Sequence, residues 1–165
     1  MIAFSFINKE NKKHLFLIMW IVGLISIGGL IGSLTKPEIS SWYSTLNRST
    51  MTPPNYIFPI VWTILYGTIG ACGWLIWGAS AFPKLSIIKI LYMAQIILNW
   101  SWTPLFFHYH LTGVSLLDLF GMDVLVVAII WLAYKKMRSV SFLMTPYLLW
   151  ILFATYLNFY IWHYN

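Results

Sequence analysis

Five apolar runs, each long enough to cross a bilayer as a helix, constrain this chain more than any other feature. They cover residues 15–34, 58–77, 87–107, 115–134 and 144–162. One crossing takes about 20 mostly apolar residues at about 1.5 Å rise each. Backbone groups in hydrocarbon must be satisfied within the segment, so these runs are expected to be helices. The period-2 alternation of a membrane β-barrel is absent. Composition agrees: 60% of the residues are hydrophobic and only 8% charged, against about 25% charged in soluble domains. The expected fold is an all-α integral membrane protein, a five-transmembrane-helix bundle forming one membrane domain over residues 1–165.

The formal charge of +6 reports topology rather than a nucleic-acid partner, because the basic residues are dispersed between the runs. Lys9, Lys12 and Lys13 precede the first run, Lys84 and Lys89 flank the second connection, and Lys135, Lys136 and Arg138 occupy the fourth. Only Lys36 and Arg48 lie on the other side. The positive-inside rule therefore places the amino terminus in the cytoplasm and the carboxyl end across the membrane. The first run is too long for a signal-peptide core, and no clear small-residue cleavage site follows it. The lone cysteine, Cys72, sits mid-helix and reads as a small buried apolar residue.

The first connection, residues 35–57, is the longest. Pro37, Pro53 and Pro54 stiffen it and disfavour helix in the residues before them. Trp42 and Tyr43 within it suit either interfacial anchoring or a lid. Glycines recur as Gly28 and Gly32 in the first run and Gly67, Gly70 and Gly73 in the second. Small residues allow close helix approach in membranes, and packing within one chain is favoured over packing between two. No internal repeat is visible, which argues against an inverted-repeat transporter.

Polar residues inside a span are costly and draw attention to function. In the third run Gln95, Asn99, Trp102 and Phe106 follow i, i+4, i+7 and i+11, one narrow helix face. Tyr147, Trp150, Ala154 and Asn158 share a face in the fifth run, and Phe58, Trp62 and Tyr66 stack in the second. Such stripes admit two readings. They either enclose an apolar pocket with a few hydrogen-bonding groups, or they pack helices together with their amides bonded across the interfaces.

Asp118 and Asp123 lie five residues apart, about 140° around a helix, so they do not form a carboxylate pair. Asp123 lies deeper and needs a partner or a wet cavity. His108 and His110 point apart on a helix, which does not suit a metal pair. No zinc, nucleophile-elbow or phosphate-loop motif is present, so hydrolytic, phosphoryl-transfer and metal chemistry have no visible machinery.

Three motifs in order carry a family resemblance. The first is Trp42-Tyr43, Leu46-Asn47-Arg48, Met51-Thr52-Pro53-Pro54 and then Phe58-Pro59-Ile60-Val61-Trp62-Thr63-Ile64-Leu65-Tyr66. The second is Gln95, Asn99, Trp102-Thr103-Pro104 and Phe106-Phe107; the third is Pro146-Tyr147, Trp150, Ala154-Thr155 and Leu157-Asn158. Over about residues 34–165 the chain resembles the TspO/translocator protein family, also called peripheral benzodiazepine receptors.

That resemblance implies a five-helix bundle, commonly a homodimer, that binds protoporphyrin IX or haem and also sterols and benzodiazepine-site drugs. It assigns the pocket to Phe58, Trp62, Tyr66, Gln95, Asn99, Trp102, Phe106, Tyr147, Trp150, Ala154 and Leu157. Trp42, Tyr43, Asn47, Pro53 and Pro54 belong to the covering loop. No cofactor is required; the tetrapyrrole is a ligand. Three functions follow as expectations: a receptor or sensor, a light- and oxygen-dependent porphyrin-degrading enzyme using Trp62 and Trp150, or a porphyrin or sterol transporter. The membrane would be bacterial, or the mitochondrial outer membrane in a eukaryote. Two departures stand out. Arg48-Ser49-Thr50-Met51 replaces the family's usual Lys-Pro-Trp or Lys-Pro-Ser-Trp, and His163 replaces the arginine closing the sterol motif.

Overall fold

A computed structural model describes residues 9–165. Its helices are α1 (Lys9–Ser40), α2 (Ile57–Gly78), α3 (Leu85–Thr103), α4 (Thr112–Ala133) and α5 (Arg138–Tyr164), and no strand occurs among the described residues. All five are long and apolar enough to cross a membrane. α1 packs mainly on α2, α2 on α5, α5 on α4 and α4 on α3. The order around the bundle is therefore α1, α2, α5, α4, α3. Inward faces carry Ile69, Ile76, Ile88, Met122, Val126, Met144 and Ile151, all essentially inaccessible. Ile64, Val124, Trp131 and Leu149 point outward, as a lipid-facing surface requires.

α1 runs to Ser40, six residues beyond the expected end, and carries Pro37 within its last turns. Proline removes one backbone bond and normally disturbs the preceding turn. Side-chain hydroxyls add bonds on either side of it: Thr35 donates to the carbonyls of Ile31 and Gly32, and Ser40 and Ser41 donate to that of Pro37. Tertiary contacts hold the extension, with Glu38 3.4 Å from His110 and Ile39 packed against Tyr43 and Phe106. The first connection is shorter than expected in consequence.

α5 also begins earlier than expected, at Arg138, because Ser141 donates to the Ile130 carbonyl at 2.8 Å and docks the first turns onto α4. α3 continues into a π-helical turn over Pro104–His108. Pro104 has no N–H to give, and the wider turn closes through Tyr109 N–H to the Pro104 carbonyl at 3.0 Å. His110 then takes a positive φ of 55° and reverses the chain into α4.

The glycines divide sharply. A Cβ on Gly28 would fall inside the Tyr66 ring, one on Gly70 would meet the Ile21 backbone at 2.8 Å, and one on Gly73 would meet Trp20 at 2.7 Å. These three set the close approach of α1 to α2, the expected intrachain use. Gly32 and Gly67 have nothing within 4 Å of an added Cβ, so they play no part in it.

Candidate ligand-binding site

Four helices enclose a small apolar cavity. Its walls are Phe58 and Trp62 from α2, Asn99 and Trp102 from α3, Leu119 and Met122 from α4, and Trp150 and Ala154 from α5. The rings close on one another: Phe58 meets Trp150 edge-on at 6.0 Å, and Trp62 lies 5.6 Å from Tyr66. Only about 20 Å³ remains between them. No titratable side chain lines this space. Among the described residues no cluster of metal-ligating side chains occurs.

A chain of hydrogen bonds fixes the wall from behind. Tyr66 donates to Asn99 Oδ1 at 2.7 Å, Asn99 Nδ2 donates to the Tyr147 hydroxyl at 3.0 Å, and Tyr147 donates to Gln95 Oε1 at 3.0 Å. Donor directions run consistently from α2 through α3 to α5 and back to α3. Burying such groups is tolerable only because each is bonded. Gln95 Nε2 and the Trp150 indole N–H are exceptions, both buried without a partner.

A second junction lies toward the first loop. Asn158 accepts from Trp102 Nε1 and from the Ser115 hydroxyl, both at 3.0 Å, and donates to the Thr112 carbonyl at 2.8 Å. Trp102 in turn stacks on Phe106 at 5.1 Å. Phe106 packs with Trp42 and Tyr43, and Trp42 stacks on His110 at 4.0 Å. Burial raises the Tyr43 hydroxyl above its ordinary pKa, while the neighbouring Arg48 opposes the rise. The loop is tied to α5 by the Ser49–Tyr156 hydroxyl pair at 2.9 Å and by reciprocal bonds between Asn47 and Asn165. Asn47, Arg48, Pro53 and Pro54 line an open recess of about 530 Å³ on this face.

Six of the residues singled out from sequence thus meet on one cavity wall: Phe58, Trp62, Asn99, Trp102, Trp150 and Ala154. Tyr66, Gln95 and Tyr147 stand behind it in the hydrogen-bond chain, whereas Trp42, Tyr43 and Phe106 form the loop-side aromatic cluster. Leu157 is buried on α5 but does not line the cavity. Leu119 and Met122 do, so α4 contributes to the wall although its sequence carries none of the aromatic stripes. They share the buried face Ser115, Leu119, Met122, Val126, a helical stripe that resembles ordinary core. The two aspartates serve different interfaces: Ser101 donates to Asp118 at 2.8 Å and Thr155 to Asp123 at 2.9 Å.

The TspO/MBR family matches residues 18–163. The chain belongs to the TspO/MBR family. It is 34% identical over 143 residues to the "Tryptophan-rich protein TspO" of Archaeoglobus fulgidus, covering 87% of this chain and 92% of that one. The "Translocator protein" of Bos taurus is 33% identical over 145 residues, 86% of each chain. A "Tryptophan-rich sensory protein" of Cereibacter sphaeroides is 31% identical over 128 residues, 78% of each. The match embraces all five helices, so this TspO/MBR chain is a multi-pass integral membrane protein with its aromatic cavity inside the family's common region.

Proposed function

We propose that this chain is a membrane receptor or sensor whose cavity takes a flat, poorly soluble tetrapyrrole such as protoporphyrin IX or haem, with sterols and benzodiazepine-site drugs as further ligands. One observation carries the reading: four aromatic rings and a single amide from three helices converge on an intramembrane cavity with no titratable side chain on its walls. Aromatic faces bind flat apolar rings, and one buried amide orients them. The sensory name of a relative supports this class of function. Sites for drug-sized ligands run to roughly 300–1,000 Å³, so the present 20 Å³ requires the Phe58–Trp150 contact to part on binding. With a cytoplasmic amino terminus, the first loop and the cavity mouth face the opposite compartment.

The test is a titration of the purified protein in detergent with protoporphyrin IX, followed by its absorbance and fluorescence. Saturable binding at one site per chain is expected, weakened in Trp150→Ala. A signal that grows linearly with porphyrin and ignores the substitution would remove the reading.

A photo-oxidative enzyme is the second reading. It is favoured by the position of both Trp62 and Trp150 on the cavity wall, where an indole can donate an electron to an excited porphyrin with dioxygen as terminal oxidant. Illumination in air should then yield a discrete product in the native protein and not in Trp62→Phe or Trp150→Phe; identical bleaching in all three counts against it.

A further inference from the structure

The open recess beside the first loop has a chemistry unlike that of the cavity. Asn47, Arg48, Ser49, Thr52 and Asn55 supply its polar lining, and no acidic residue contributes. Arg48 is half-buried, with its guanidinium 5.0 Å above the Tyr43 ring. Among the described residues it has no ion-pair partner; Glu38, in the last turns of α1, lies against His110 instead. Helix α2 begins immediately after the loop, with no acidic residue in its first turn and no side-chain cap on its first amides. Its first amide, Ile57 N–H, is taken by the Pro54 carbonyl at 2.9 Å and Pro59 has none to give, so the positive charge of the recess comes from Arg48.

Recess and cavity are neighbours along the chain. Asn55 lines one and Phe58 the other, a separation of three residues, or at most about 10 Å of chain. A ligand that spans both therefore needs an apolar body between the cavity rings and an acidic arm of about that reach.

We propose that this recess is an anion subsite, in which Arg48 with the polar side chains of the loop receives the carboxylates of an amphiphilic ligand held by the cavity. The proposal rests on the ligand-binding reading above and adds the part of the ligand that is recognised by charge. Guanidinium is well suited to the task, since its fork pairs with a carboxylate through two parallel bonds. Carboxylated ligands are thereby preferred over neutral ones of the same shape.

Protoporphyrin IX and its dimethyl ester share a macrocycle and differ in charge, so they make the test. Full-chain protein in neutral detergent is titrated with each. The acid should bind about tenfold more tightly than the ester, the scale of one charge-assisted bond. In Arg48→Gln the two affinities should converge, and Arg48→Lys should restore part of the gap. Because Arg48 also packs on Tyr43, Asn55→Asp provides an independent check: it adds a negative charge at an exposed position and should weaken the acid while sparing the ester. Equal binding of acid and ester by the native protein, or an undiminished gap in Arg48→Gln and Asn55→Asp, overturns the subsite while leaving the cavity reading intact. Failure of both porphyrins to bind overturns both. A gap that persists in phosphatidylcholine nanodiscs but vanishes in phosphatidylglycerol assigns the recess to lipid phosphate and overturns the carboxylate proposal.

Discussion

Tyr66 on α2 donates its hydroxyl proton to Asn99 on α3 at 2.7 Å, and the cavity wall depends on that bond. Polar contacts between membrane helices contribute about 0.6 kcal/mol on average and up to about 1.7. A double-mutant cycle of Tyr66→Phe and Asn99→Ala should give a coupling in that range, read from unfolding in detergent. Asn99→Ala alone should cost more than Tyr66→Phe, because it also leaves the Tyr147 hydroxyl without its donor. Strict additivity of the two changes would show that the bond contributes nothing.

Gly28 lies directly over the Tyr66 ring, while Gly29 has nothing within 4 Å of an added Cβ. Gly28→Ala should therefore destabilise by about 1–3 kcal/mol through overpacking. Gly29→Ala should be neutral or stabilising by up to about 1 kcal/mol, since alanine is the better helix former. Thermal denaturation of the two variants side by side decides it; equal shifts would contradict the packing described for α1 and α2.

Helix existence was legible because five apolar runs repeat at bilayer length, but helix ends were not. Glu38 with His110 and Ser141 with the Ile130 carbonyl hold the extra turns of α1 and α5, and such contacts join residues far apart in sequence. Spacing likewise placed Trp62, Asn99 and Trp150 on inward faces, yet it carries no information on partners. The stripes divide between the two arrangements: Phe58, Trp62, Trp102 and Trp150 line a cavity, while the amides of Asn99 and Gln95 and the hydroxyls of Tyr66 and Tyr147 are bonded across helices. Leu119 and Met122 were invisible because an apolar residue on a buried face looks the same whether it meets a neighbour or a cavity.

Asn158 serves three partners from α3 and α4. Asn158→Leu should cost about 3 kcal/mol or more, as several buried groups lose their bonds at about 1–3 kcal/mol each. Ser115→Ala, which removes only one of those bonds, should cost about 1 kcal/mol. Denaturation midpoints for the pair check the ranking, and a Ser115→Ala effect as large as that of Asn158→Leu would refute it.

The loop is fastened at exposed points, so its ties should control motion more than stability. Asn165→Ala removes both bonds to Asn47 and should change global stability by less than about 0.5 kcal/mol. Hydrogen exchange over residues 46–56 should nevertheless accelerate, because local opening needs few broken contacts. Unchanged exchange there would mean that the Ser49–Tyr156 pair and the aromatic cluster hold the loop without Asn165.

The most direct test of the cavity uses Ala154, the smallest side chain on its wall. In a titration with protoporphyrin IX, Ala154→Leu fills the space between the rings while keeping the wall apolar. Binding in the cavity predicts an affinity at least about tenfold weaker than native, a loss of about 1.4 kcal/mol, with helix content preserved in Ala154→Leu and the midpoint lowered only by the about 1–3 kcal/mol of overpacking. Native affinity in that folded variant would contradict the account, since the porphyrin would then be bound somewhere other than between these rings.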